Sequence, residues 1–168
     1  MSIRDATTDD VDAIQRVAHT SWEADYPDIL SRESIQEGVD DWYTEALIRD
    51  SIIWSQALML VAERDGSVVG FAHATFEPDE HTGTILRLYV DPDHRGEGIG
   101  SDLLTATRDR LFEQGVERIR AMVLAANDVG NEFYRSFGFE HTATESVQIG
   151  AESYEERTYV LEREFKTQ

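Results

Sequence analysis

Residues 85–104, ILRLYVDPDHRGEGIGSDLL, constrain the fold more than any other stretch of the chain. Ile85, Leu86, Leu88 and Val90 form a short apolar run that predicts a buried strand. Asp91-Pro92 ends it, because proline has no N–H for a ladder and pushes the residue before it out of helix. Residues 95–100, Arg-Gly-Glu-Gly-Ile-Gly, then read as a glycine-rich turn. Helical spacing begins at once, with Ile99, Leu103, Leu104, Thr107 and Leu111 on one face and Gly115 where a C-terminal cap belongs. Strand, glycine turn and helix start in that order make a cradle for an anion. The first N–H groups of the helix lack partners, and the macrodipole favours a negative charge there by about 0.3–1 kcal/mol. Glycines let the backbone approach a phosphate that a Cβ would hold away.

The remaining periods predict the order β-α-α-β-β-β-α-β-α-β-β. Residues 2–6 read as an entry strand. Thr7 and Asp10 have capping-box spacing, and Val11, Ile14, Val17 and Ala18 form one face of a helix. Trp22, Tyr26 and Pro27 interrupt that pattern, which predicts a loop over 22–30. A second helix is expected from Ser31 or Ser34, lined by Ile35, Val39, Trp42, Tyr43 and Leu47. Strands over 58–63 and 67–76 meet at Asp65-Gly66, a strong hairpin signal. An acidic turn over 77–81 follows. A strand is expected over 118–124, then a short helix capped by Asn127 and Asp128, with Val129, Phe133 and Phe137 inward and Gly138 closing it. An antiparallel pair over 141–148 and 154–164 turns at Gly150. This is a mixed α/β sheet flanked by helices. At 168 residues, with 40% hydrophobic residues, a single domain over 1–168 is expected, able to bury roughly 70% of its unfolded surface.

The chain has no cysteine, so disulfides, thiolate metal sites and a cysteine nucleophile are excluded. His19, His73, His81, His94 and His141 are scattered without metal-ligand spacing, and no metal is expected. No apolar run approaches the roughly 20 residues of a bilayer span, and the polar start MSIRDATTDD is unlike a secretory signal, so a cytoplasmic location away from membrane is expected. Fifteen Lys+Arg stand against 34 Asp+Glu, a net charge of -19. Such a surface repels nucleic acid and anionic lipid. The acidity fits either a field that steers cations or a halophilic adaptation to high salt, where the Debye length falls to about 3 Å at 1 M. Acid spread along the whole length, with Lys166 the only lysine, favours high salt.

A dinucleotide fingerprint needs G-x-G-x-x-G, whereas Gly96, Gly98 and Gly100 are spaced G-x-G-x-G. A P-loop needs a lysine after its last glycine, and none is near. The turn does fit R-x-x-G-x-G, as Arg95, Gly98 and Gly100, behind the strand end Leu88-Tyr89-Val90. A tight turn with no ligand is the other reading of this stretch alone. A second motif follows the next strand, with Asn127, Gly130, Phe133, Tyr134, Gly138 and Phe139. Together the two resemble the GNAT superfamily of acyl-CoA N-acyltransferases, with R/Q-x-x-G-x-G/A and N-x-x-A-x-x-F/Y-Y-x-x-x-G-F. Gly130 stands in place of the usual alanine. The likeness extends over nearly the whole chain.

The resemblance implies a GNAT-like, mostly antiparallel sheet and acetyl-CoA as co-substrate. It implies that the backbone of Leu88, Tyr89 and Val90 bonds the pantetheine arm. The N–H groups of Arg95, Gly96, Glu97, Gly98, Ile99 and Gly100 would hold the pyrophosphate, and Asn127 would bond the pantetheine. Tyr134 would be the general acid that protonates the leaving thiolate. Trp22 and Tyr26 fall where similar proteins wall the acceptor site, so they are candidate substrate contacts as well as candidate core. The acceptor would be a small-molecule or peptide amine, attacked directly. The C-terminal strand pair is a candidate homodimer edge. Arg87 and Arg135 are expected either to assist a phosphate or to pair with acids.

Two departures stand out. Many relatives carry lysine at Glu97, so a negative charge beside the pyrophosphate is expected to weaken CoA binding at low ionic strength. The usual glutamate positions fall at Thr84 and Met122, neither of which takes a proton. Glu77, Glu80, His81, His73 or a group near Trp22 and Tyr26 then remain as bases. The alternative is a catalytically silent CoA-binding sensor or scaffold of the same fold.

Overall fold

The computed structural model describes residues 1–27 and 30–163. Asp65 and Gly66, at φ 53° and 81°, make the two-residue turn that joins β2 (Ala57–Arg64) to β3 (Ser67–Glu77). Both central residues of such a turn need positive φ, which glycine adopts freely and aspartate tolerates. From this hairpin the sheet grows both ways, with β1 (Ser2–Asp5) antiparallel to β2 and β4 (Thr82–Val90) antiparallel to β3. Next to β4 lies β5 (Arg118–Leu124), the one parallel neighbour, and β7 (Glu152–Glu162) enters between β5 and β6 (Glu140–Ile149). The seven strands run in the order β1-β2-β3-β4-β5-β7-β6. The expected mixed, mostly antiparallel sheet is therefore observed.

Alternation along β2 explains the two cores. Leu58 and Leu60 face α4 (Ile99–Glu113), packing with Ile85, Leu103, Leu104 and Leu111, and α5 (Asp128–Ser136) adds Tyr134 to that side. Met59 and Val61 face α1 (Val11–Asp25), packing with Ile14, Val17, Trp22 and Phe71. Two further helices, α2 (Arg32–Trp42) and α3 (Glu45–Ile53), cover this second face. Each fully buried Leu or Ile contributes about 1.5–3 kcal/mol, so a sheet covered on both faces is well supported. No helix among the described residues is long and apolar enough to cross a membrane.

Three expectations are corrected. The loop expected over 22–30 starts later than Trp22: α1 continues to Asp25 and Tyr26 is its C-cap. Ile14, Ala18, Trp22 and Tyr26 recur every four residues, so the apolar stripe outlasts the aromatic interruption. The predicted second helix is two, because Thr44 caps a new start by accepting from the Leu47 N–H at 3.2 Å. Leu47 consequently faces solvent rather than the core. Val129 also points outward, 82% exposed, while α5 buries Asn131 and Tyr134. The expected roles of the Val39 and Trp42 side chains, and Glu164 at the end of β7, lie outside the described residues, as does Lys166.

Asp10 ties the first strand to the first helix. Arg4 donates to both its carboxylate oxygens, at 2.8 and 3.0 Å, and the Thr7 N–H donates at 2.8 Å. These donors, Arg4 first, hold the Asp10 carboxyl below the usual range against the opposing effect of burial. A carboxylate with a depressed folded pKa contributes stability above its unfolded pKa of about 3.9, and loses it as pH falls through the folded value. Asp10→Asn is expected to cost about 1.5 kcal/mol at neutral pH, the low end for a charged pair because Arg4 is partly exposed. Urea unfolding of both proteins should show that difference narrowing as the pH is taken below 4.

Candidate active site

The site is made by two strands that part. β4 and β5 pair over only four positions, from Thr82↔Arg118 to Ile85↔Ala121. Each strand continues, since β4 stays paired with β3 as far as Val90 and β5 with β7 as far as Leu124. A bulge falls at the parting point: His73 pairs with Arg87 and Ala74 with Ile85, which leaves Leu86 as the extra residue. Bulges bend a strand and sharpen its twist. Beyond it, the facing edges of β4 and β5 carry N–H and C=O groups with no strand between them, a template for an extended ligand. The opening is a cleft of about 810 Å³.

The glycine turn closes one end of this cleft. Gly96 and Gly98 sit at φ 79° and 81°, where an L side chain is strained. Gly98 is the N-cap of α4 and supplies no side-chain cap, so the first-turn N–H groups of that helix are left for a ligand or water. Arg95, Gly96, Gly98, Ile99 and Gly100 line the cleft, as do Leu88, Tyr89 and Val90. Glu97 does not. Its carboxylate pairs with Arg64 at the end of β2 and lies 3.5 Å from His94 Nδ1. The expected charge is therefore turned away from the cleft and compensated by Arg64. Val90 also departs from a free strand end, since its carbonyl accepts from Ser21 Oγ at 3.3 Å and Arg95 Nη2 at 3.4 Å.

Asn127 and Tyr134 bring α5 to the opposite wall, and both line the cleft. Asn127 Oδ1 accepts from the Gly130 N–H at 3.0 Å, which caps the helix and leaves its Nδ2 to donate elsewhere. A methyl at Gly130 would lie 2.7 Å from that Nδ2, so the glycine gives the asparagine amide its place. Tyr134 packs edge-on to Phe133 and Phe139, each at 5.3 Å, and stacks on Tyr159 at 6.3 Å. Among the described residues none takes its hydroxyl as a hydrogen-bond partner. Burial, and to a lesser extent Tyr89, raises its pKa above the ordinary phenol value, so it stays protonated at neutral pH.

Sequence reasoning passed over Asn131, which fixes this wall. Its Nδ2 donates to the Leu124 carbonyl at 3.0 Å and the Asn127 carbonyl at 2.6 Å, while its Oδ1 accepts from the Tyr159 hydroxyl at 2.5 Å. One side chain thus joins the end of β5, the start of α5 and β7. The readable signal was a polar residue on the apolar stripe with Tyr134.

On the face that carries α1, Trp22 and Tyr26 are buried in the core, as the core reading expects, and both also edge the cleft. Trp22 Nε1 donates to the Tyr89 hydroxyl at 3.0 Å, and the Tyr26 hydroxyl lies 3.4 Å from it. Arg87 lines the cleft with its guanidinium 5.3 Å from the Tyr43 ring centroid. Arg135 lies 3.8 Å from Glu132. Of the expected bases, Glu77 and Glu80 face each other on the surface at the far end of β3, where Glu77 pairs with Thr82. His81 is exposed beside them. His73 is pushed down to about 4 by burial, with Arg87 adding to the effect, and does not line the cleft. A carboxyl that the sequence did not single out does line it: Glu156 on β7.

Comparison with known proteins agrees with this geometry. Residues 14–139 match the family described as acetyltransferase (GNAT) family. The spermidine N(1)-acetyltransferase of Thermoplasma acidophilum is 28% identical over 144 residues, covering 83% of this chain and 88% of that one. Among solved structures, the PaiA N-acetyltransferase of Thermoplasma acidophilum in complex with coenzyme A is similar at TM-score 0.81. It is 28% identical, with 94% of this chain and 98% of that one covered. Ard1 from Thermoplasma volcanium is similar at TM-score 0.75 and 27% identity, with 96% of each chain covered.

Proposed function

Since the chain belongs to the GNAT acetyltransferase family, an acyl-CoA-dependent group of N-acetyltransferases, we propose that it transfers the acetyl group of acetyl-CoA to a primary amine by direct attack, with Tyr134 as general acid. The parting of β4 and β5 beside the glycine turn carries this reading. Strand edges from Leu88 to Val90 and the amide of Asn127 suit the pantetheine arm. The first turn of α4 suits the pyrophosphate, and Gly96 and Gly98 keep side chains out of its way. A backbone N–H at the end of β4 suits stabilisation of the developing oxyanion. The buried, protonated phenol of Tyr134 suits proton donation to the departing sulfur.

The acceptor is a small-molecule or peptide amine, and spermidine is the first to try, given the relative that acts on it. The same reading places the enzyme in a cytoplasm of high salt, where an acidic, arginine-bearing surface stays soluble, with β6 at the sheet edge as the dimer contact. Purified protein mixed with acetyl-CoA and a panel holding spermidine and an N-terminal peptide amine, from low to molar KCl, is expected to release thiol above the hydrolytic background. Measurable CoA binding with no release from any amine would instead mark a silent CoA-binding module.

A further inference from the structure

Resting on the transfer just proposed, we infer that Glu156 is the general base that takes the proton from the attacking ammonium. A base must reach the cleft and accept a proton at neutral pH. Among the described residues only His94, Asp128 and Glu156 line the cleft and carry an imidazole or a carboxyl. His94 belongs to the glycine turn and faces Glu97. Asp128 is solvent-exposed at the first turn of α5, outside the gap between the strands. Glu156 remains, and it is half-buried.

Its position fits the task. Tyr159 and Leu161 of β7 pack on the α4 side, so Tyr154, Glu156 and Thr158 project to the α1 side. Glu156 sits opposite Leu124, at the end of β5 that borders the gap. A thioester threaded between β4 and β5 therefore meets Tyr134 from one face of the sheet and Glu156 from the other. Attack and departure take place on opposite sides of the carbonyl, which is the disposition a base and an acid need.

The groups facing Glu156 tune it. Glu145 is its cross-strand neighbour on β6, and Arg87 reaches it from β4. Burial raises its pKa most, Glu145 raises it further, and Arg87 opposes both. A carboxylate made more basic toward working pH is a better proton acceptor.

The balance is complete. Glu156 carboxylate removes one proton from R–NH3⁺, and the freed nitrogen pair forms the C–N bond to the thioester carbon. The C–S bond breaks with its pair going to sulfur, which takes the proton of Tyr134. Glu156, having released the first proton to solvent, takes the second from the acylated nitrogen, and the tyrosinate recovers its proton from solvent.

Glu156→Gln keeps the shape and removes the basicity. With spermidine as acceptor, its kcat at neutral pH is expected to fall by about 10²-fold, with CoA affinity and melting temperature unchanged. The loss should shrink as pH rises toward about 10, where the amine deprotonates unaided. Glu156→Asp should retain the acid limb of the pH profile at reduced rate, and it serves if the glutamine variant does not fold. A glutamine variant as fast as wild type, or one slowed equally at every pH, overturns the assignment. Wild-type protein that releases no thiol with any amine overturns the transfer itself, so the two failures are read in different proteins.

Discussion

Tyr134→Phe is expected to lower kcat by about 10²–10⁴-fold while leaving CoA affinity and stability near wild type. The ring contributes the packing, edge-on to Phe133 and Phe139 and stacked on Tyr159, and phenylalanine retains all of it. The hydroxyl makes no hydrogen bond within the described residues, so deleting it strands no protein partner. What is lost is a proton donor in the cleft. Burial keeps the phenol protonated, which excludes it as a base and suits it as an acid. Burial also makes the phenol a weaker acid, and a thiolate forming beside it in the cleft is partly desolvated too, which raises its proton affinity and eases the transfer. Steady-state kinetics with calorimetric CoA titration separates the effects. An unchanged kcat would remove Tyr134 from the mechanism.

The largest effect on folding is expected at Asn131. Asn131→Ala leaves the buried Tyr159 hydroxyl without its acceptor and removes one of the two donors at each of the Leu124 and Asn127 carbonyls, which keep the backbone N–H groups of Asn127 and Asn131. The stranded hydroxyl costs about 1–3 kcal/mol and each lost bond to a carbonyl about 0.5–1.5 kcal/mol, so a total of about 3 kcal/mol is expected. For a chain of this size that lowers the melting temperature by about 10 °C. Tyr159→Phe alone should cost about 1–2 kcal/mol, because Asn131 Oδ1 then loses its donor. In the Asn131→Ala background the same change should cost almost nothing, since the hydroxyl has already lost its acceptor. Urea unfolding of the four proteins checks the cycle; full additivity would mean that the two side chains do not share one interaction.

Much of this architecture is legible in the chain because the signals are local. Asp65-Gly66 can hardly be anything but a hairpin turn, and Asn127 announces a helix through its own cap. Errors arose where local signals compete. Trp22, Tyr26 and Pro27 look like loop residues, yet the four-residue stripe from Ile14 carries α1 through to Asp25. Thr44 is a good cap residue, but Tyr43 and Leu47, four apart, continue one apolar face across it. Glu97 drew attention as a charge beside a phosphate, while its partner Arg64 comes from a hairpin that is distant in sequence. Glu156 was invisible for a deeper reason. No periodicity reveals that β7 lies against β5, and only that register brings residue 156 to the cleft.

The insertion of β7 between β5 and β6 fixes when the site can exist as the chain is synthesised. β1 through β4 pair with neighbours made just before or just after them, so the first half of the sheet can assemble from the ribosome outward. β5 finds its second neighbour only when residues 152–162 emerge. Until then its far edge is bare, and the Asn131 amide waits for the Tyr159 hydroxyl. Non-local pairing of this kind is slow to form. The wall bearing Tyr134 is therefore the last part of the molecule to set, and a nascent chain cannot hold its acyl donor productively before its final strand is in place.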